Sequence, residues 1–242
     1  MSPKIQVVYI AVTNGPKTHE LCARFVGTWI AYPPGIECEL LVCCNGGPLP
    51  LETALLFAPL DAKFLPREND SGWDCSAFQD AAGQSDADMM FCCGESVYFH
   101  RTGWLLQLAQ AWSVFGPGMY GCFSSHSTSI IQKIYPHLNT NAFACAPKHL
   151  VDYPRVTNHQ ERYAFEHGPD ALWRRLDRKG VPVKLVTWDG VWGKGDWRKP
   201  PNILQRGDQT NCLCFCIHND RWAAAADRVK RTWASYSDKP FL

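Results

Sequence analysis

The stretch DADMMFCCGESVYF, residues 86–99, decides the fold. Met89 to Cys93 form a short unbroken apolar run, which marks a strand buried on both faces rather than one alternating between core and water. Strands of that kind belong to mostly parallel α/β sheets, whose crossover helices cover both sides. The run ends in Gly94-Glu95-Ser96, a polar turn at the carboxyl end, where open α/β sheets gather ligands. Asp86 and Asp88 spell D-x-D but precede the strand, so they read as its solvent-side entry.

The pattern continues on both sides. KIQVVYIAV (4–12) and ECELLVCCN (37–45) read as strands, joined by a helix over 18–32 with Leu21, Phe25, Val26 and Trp29 inward and Thr18 as its N-cap. A helix near 51–58, a short strand over 62–69 and a helix over 74–84 follow, with the Asp74 carboxylate favoured by the free amides at the helix start. After residue 99, a helix over 103–115 places Leu105, Leu108, Ala109 and Trp112 inward. Strands are expected within 119–125, 140–147 and 181–190, and one helix ends at Gly180. Residues 190–209, rich in Gly, Pro and Trp, read as a long functional loop. Residues 220–237 read as one amphipathic helix.

With 242 residues, 46% of them hydrophobic, the chain can bury a full core, and a net charge of +1 gives no global pull toward nucleic acid or an anionic membrane. The longest apolar run near the start, Val7 to Val12, is too short for a signal or a membrane span, so a soluble cytoplasmic protein is expected. Twelve cysteines would suggest disulfides in a small secreted chain, yet no C-x-x-C occurs. Cys43-Cys44 and Cys92-Cys93 sit in apolar runs, and Cys212, Cys214 and Cys216 alternate like one face of a strand. Reduced thiols packed as small hydrophobes are therefore expected.

Four polar strand ends define a crevice: Thr13-Asn14-Gly15, Asn45-Gly46-Gly47, Arg67-Glu68-Asn69-Asp70 and Gly94-Glu95-Ser96. The order of strands and helices, with RENDSGWDCSAFQDA (67–81) before the central strand and ESVYFHRTGWLLQLAQAW (95–112) after it, resembles GT-A glycosyltransferases, especially family 2-like enzymes. The likeness covers residues 4 to about 190. It implies a Rossmann-like, mostly parallel sheet flanked by helices. A donor half (1–120) and a smaller acceptor-side half (121–242), which carries the C-terminal helix, would form one compact domain.

The resemblance also implies the chemistry: sugar transfer from a nucleotide-diphosphate sugar to a hydroxyl acceptor, a glycan or a hydroxymethylated base in DNA, with inversion. Carried over by position, Thr13, Asn14, Asn45, Arg67, Asn69, Asp74, Gly94, Glu95 and Ser96 would bind the donor. Asn45, where the family commonly has an aspartate, offers both a donor and an acceptor to a pyrimidine edge. The turn departs from the family's D-x-D in having one carboxylate. Glu95 then either holds a divalent ion (Mn or Mg) with His167, or the diphosphate is held without metal by cations and amides. His126, His137 and His167 otherwise read as surface or core histidines.

For the base that deprotonates the acceptor, the chain offers Glu161, Glu166 and Asp170. Glu166 stands before His167-Gly168-Pro169, where a helix is expected to begin, and is chosen, with Asp170 as its neighbour. Asn139, Thr140, Asn141, Trp188 and Asp189 are the expected acceptor contacts. The basic face Arg174, Arg175, Arg178 and Lys179 is what invites DNA as acceptor. A non-catalytic nucleotide or carbohydrate-binding module is the rival reading, motivated by the missing D-x-D.

Overall fold

The computed structural model describes residues 3–68, 72–125, 137–197 and 209–231. The donor-side elements run β1 (Ile5–Val12), α1 (Thr18–Ala31), β2 (Glu39–Asn45), α2 (Leu51–Leu55), β3 (Lys63–Arg67), α3 (Trp73–Ala82), β4 (Met89–Cys93) and α4 (Trp104–Phe115). Then come β5 (Met119–Gly121), β6 (Ser124–Ser125), β7 (His137–Leu138), β8 (Ala142–Cys145), α5 (Pro147–Val151), α6 (His159–Glu166), α7 (Leu172–Arg178), β9 (Val183–Thr187), β10 (Gly190–Trp192) and α8 (Ile217–Ala224).

Eight strands form one sheet in the order β10-β9-β5-β8-β4-β1-β2-β3. It is α/β and mostly parallel, as the apolar run in β4 implies: β3, β2, β1 and β4 are mutually parallel, and β5 is parallel to β9. Strand β8 runs the other way between β4 and β5, with Cys93 opposite Ala142 and Met90 opposite Cys145. Its reversal has a functional consequence. The residues entering β8, Asn139 to Asn141, lie at the carboxyl end of β4 beside Gly94.

Alternate residues of β1 feed two cores, one on each face of the sheet. Val7 and Tyr9 pack with Phe25, Trp29 and Trp104, whereas Val8 and Ile10 pack with Phe78, Leu150 and Trp173. Tyr9 stacks on Phe25 with centroids 4.0 Å apart and donates from its hydroxyl to the Glu95 carbonyl at 2.8 Å. The aromatic core thereby fixes the polar turn.

Several local expectations need correction. Thr18 is the first helical residue, not the cap; its hydroxyl donates back to the Val12 and Gly15 carbonyls, closing the loop into α1. Cys22, rather than Leu21, is buried with Phe25, Val26 and Trp29. The helix expected before Gly180 is two helices, α6 and α7, because Gly168-Pro169 interrupts it, so Glu166 closes α6 rather than preceding a helix. Cys212, Cys214 and Cys216 are buried, yet among the described residues the segment forms isolated bridges, Cys212 to Thr187 and Phe215 to Tyr98, rather than a ladder, and His100 contacts the Cys212 carbonyl at 2.7 Å. The C-terminal helix breaks at Ala225, whose extended backbone lets Lys230 turn back and donate to the Ala223 carbonyl at 3.3 Å.

Helix α3 begins against the segment before α6. A Cβ on Gly72 would lie 2.2 Å from the Val156 carbonyl oxygen and 2.7 Å from Ser76 Cβ. Gly72→Ala is therefore expected to cost roughly 1–3 kcal/mol by overpacking, read as a lower urea midpoint with an unchanged slope. An unchanged midpoint would mean that Val156 can move aside freely.

Candidate active site

The carboxyl ends of β1, β2, β3 and β4 share one edge of the sheet, and their registers set the neighbours. Asn45 pairs with Val12 on one side and Arg67 on the other. Arg67 donates to Asn45 Oδ1, to Asp80 Oδ2 at 2.7 Å and to Ser76 Oγ at 3.3 Å, with its side chain 9% exposed. It braces Asn45 from below. Arg67 occupies one lone pair of the Asn45 oxygen and so fixes the orientation of the amide.

Thr13 and Asn14 follow β1, and Thr13 hydrogen-bonds the Asn45 carbonyl through its amide at 3.0 Å. A Cβ at Gly46, which has φ +114°, would sit 2.6 Å from Thr13 Oγ1 and 3.3 Å from Asn14 Nδ2, so glycine is what lets these two loops meet. Gly94 donates its N–H to the Asn141 carbonyl at 2.7 Å. The position of its missing Cβ lies 3.2 Å from Asp74 Oδ2 and 3.5 Å from Asn141 Oδ1. Ser96 turns away, accepting from the Ile217 N–H at 3.3 Å and, through its carbonyl, from Arg24 at 3.2 Å. Asn69 lies outside the described residues.

Glu95 and Asp74 face each other electrostatically. Burial and the charge of Asp74 push Glu95 up to about 7. Burial, opposed by Arg162 and aided by Glu166, pushes Asp74 up to about 6. Glu95 Oε1 is buried without a hydrogen-bond partner. Both folded values exceed the unfolded ones, so the folded chain holds more protons there between about pH 4 and pH 7, and stability from these groups falls as pH rises through that window. In Glu95→Gln, thermal stability is expected to decline less than in the parent between about pH 5 and pH 8. Parallel curves would place the Glu95 proton elsewhere.

Glu166 reaches the same crevice from the end of α6. Its Oε1 accepts from the Thr140 N–H at 2.9 Å, its Oε2 lies 3.1 Å from His167 Nε2, and His137 Nε2 is 4.0 Å from Oε1. Burial alone would raise its pKa; the hydrogen bond from His167 and the charge of His137 outweigh it and bring Glu166 down to about 2. A carboxylate at a helix C-terminus opposes the dipole, and these partners offset that. His218, on α8, is near enough to feel the Glu166 charge.

The other expected residues fall into place differently. Asp170 is exposed, 3.1 Å from Arg178, and Asn139 Oδ1 accepts from the Asn141 N–H at 2.9 Å, shaping the loop. Trp188 follows β9 at the same sheet edge, with Arg101 4.8 Å over its ring, and the exposed Asp189 donates its N–H to Asn211 Oδ1. His167 groups with Glu166 and His137; Glu95 is not part of that cluster. His126 lies outside the described residues. Arg162, which acts on Asp74 and lies 4.4 Å over the Trp73 ring, escaped sequence reasoning, because nothing local in its segment marks the contact, while His137, read as a surface or core histidine, is buried beside Glu166.

Of the basic face, Arg174 lies over Trp173, Arg175 over Tyr153, and Arg178 binds Asp170 and the Pro169 carbonyl. That engagement leaves the DNA reading without support. Asp86 and Asp88 stand at the amino end of β4, tied to Lys4 at 2.7 and 2.8 Å, opposite the crevice. A cavity of about 1400 Å³ lies at that same edge, lined by Lys4, Glu39, Asp86 and Trp112 among others, and has no contact with the crevice residues.

The sheet order, with parallel β3-β2-β1-β4 joined through reversed β8 to β5 and β9, agrees with the mostly parallel α/β sheet flanked by helices that the resemblance implies. Solved structures similar to this chain include glucosyl-3-phosphoglycerate synthase from Mycobacterium tuberculosis in complex with Mn2+, UDP and phosphoglyceric acid. That match has 13% identity, covers 74% of this chain and 66% of that one, and has a TM-score of 0.49. CMP:2-keto-3-deoxy-manno-octonic acid synthetase in complex with CTP matches at 10% identity, over 75% and 88% of the two chains, with a TM-score of 0.48. TarS from S. aureus matches at 12% identity and a TM-score of 0.48, over 67% of this chain but 32% of its own. No family model and no curated protein matches the chain. Substrate and mechanism therefore rest on the chain's own residues. Among the described residues no helix is long and apolar enough to cross a membrane.

Proposed function

We propose that the chain is a glycosyltransferase that moves a sugar from a nucleotide-diphosphate donor to a hydroxyl of a glycan-like acceptor. One observation carries this reading: at the carboxyl end of β4, Asp74 lies beside Gly94 and Asn141, and its charge is coupled to those of Glu95 on the following turn and Glu166 at the end of α6. Transfer forms a bond between the acceptor oxygen and the anomeric carbon as the bond to the diphosphate breaks. It needs a proton removed on one side and negative charge offset on the other.

The acceptor hydroxyl loses its proton at the Glu166 cluster, where an ionised carboxylate is backed by two imidazoles. Attack from that side displaces the diphosphate directly and inverts the anomeric centre. Thr13, Asn14 and the amide of Asn45, held by Arg67, bind the nucleoside; Asn141 and Thr140 border the acceptor. The resemblance implies a divalent cation, Mn2+ or Mg2+, at the diphosphate, and the residues fit one, since the unpartnered Glu95 oxygen and Asp74 supply two hard oxygen ligands in need of positive charge. Such an ion would neutralise charge building on the leaving group.

The test is thermal shift with a panel of nucleoside diphosphates and nucleotide sugars, with and without manganese. One nucleotide sugar should stabilise the chain more than the rest, and transfer to an acceptor should follow with that donor. No shift with any member would sink the reading. A shift without transfer across a broad acceptor panel would make the chain a binding module.

A further inference from the structure

His137, Glu166 and His167 come from two distant segments, yet their ligand atoms all lie within 4.8 Å of one another. The residues before β8 and the end of α6 meet here because β8 runs antiparallel to β4 and returns the chain to the crevice. The His137 and His167 rings stand edge to face with centroids 4.1 Å apart, and His137 is fully buried. The spacing of 3.1 Å between His167 Nε2 and Glu166 Oε2 already suits neighbouring ligands on one ion. His167 is the C-cap of α6, directly after Glu166, so the two ligands come from consecutive residues at one helix end.

We propose that His137, Glu166 and His167 form a binding site for a zinc-class transition-metal ion, separate from the hard-oxygen pair Asp74 and Glu95. Two imidazoles and one carboxylate are the donors that zinc takes in sites with an open fourth position, whereas magnesium and calcium prefer oxygen alone. No cysteine joins the cluster, so the site is independent of the twelve thiols. Thr140, whose N–H holds Glu166 Oε1, supplies the outer hydrogen bond that orients a ligating carboxylate. His218 and Asp74 both sense the Glu166 charge and border the same space. An ion there would lower the pKa of a hydroxyl placed in its open position. That last role rests on the glycosyltransferase reading; binding of the ion does not.

The experiment uses the full chain, purified without a histidine tag and stripped of metal. Zinc is titrated while melting temperature is followed, and cobalt is added separately as a visible-absorption probe. The expected result is saturation at about one equivalent, a raised melting temperature, and the intense visible bands of a low-symmetry cobalt site. Binding should be lost in His137→Ala and in His167→Ala and kept in His19→Ala, which alters an exposed histidine. Because the cobalt spectrum is read on the unaltered chain, it decides the matter even where a variant fails to fold. Absence of cobalt bands and of any zinc shift would overturn the proposal and leave a carboxylate–imidazole hydrogen-bonded cluster. Zinc binding without any nucleotide-sugar effect would keep the site and discard the transferase reading, and the reverse pattern would do the opposite.

Discussion

Glu166→Gln is expected to lower sugar transfer by about 10²–10⁴-fold while the nucleotide sugar still binds, because glutamine keeps the shape but removes the charge. Gln can still accept from the Thr140 N–H, so the loop that carries Asn141 should stay in place. What disappears is the anion 3.1 Å from His167, and with it both proton removal from the acceptor and one ligand of the zinc-class site. Initial rates at saturating donor, set beside donor-induced thermal shift, separate the two consequences. Full turnover in a variant that still binds donor would remove Glu166 from the mechanism. A loss confined to donor affinity would move it to the donor side.

Gln79→Leu should be the most damaging substitution away from the crevice. Its Nε2 lies 3.1–3.2 Å from the carbonyl oxygens of Leu150, Tyr153 and Pro154, and its Oε1 accepts from the Val156 N–H at 3.0 Å. One buried amide on α3 thus holds the segment that leads into α6. Leucine fills a similar volume but leaves these backbone groups unpaired, at a cost of roughly 3–5 kcal/mol. Urea unfolding measures it directly, and a loss below about 1 kcal/mol would show that water takes over the role. Since Asp74 is on α3 and Glu166 on α6, a loosened variant is also expected to bind nucleotide sugar more weakly.

The parts of the fold that depend on near neighbours were legible in the sequence. The apolar run Met89 to Cys93 implied a strand buried on both faces, and the inward faces of α1 and α4 followed from helical spacing, apart from Leu21. The polar turns read as strand ends do share one edge of the sheet, as strand register requires. Long-range pairings were not legible. Nothing in HLNTN announces that His137 will meet a carboxylate near residue 166, and the commitment of Arg67 to Asn45 depends on strand register. Alternating cysteines at 212–216 looked like a strand because burial alone can produce period two, without a partner to complete the ladder. Alanines 223–226 favour helix intrinsically, yet the chain turns at Ala225.

The twelve thiols have a use that owes nothing to chemistry in the crevice. None is in a disulfide and all but Cys38 are buried, and burial holds Cys22, Cys38 and Cys43 up to about 12. A thiol that is both shielded and protonated does not react with an alkylating reagent. Each buried cysteine is therefore a silent tag until the chain opens around it. Mass spectra of pulse-labelled protein would then date the opening of each sheet face separately, with Cys22 and Cys44 reporting one side and Cys43 and Cys92 the other.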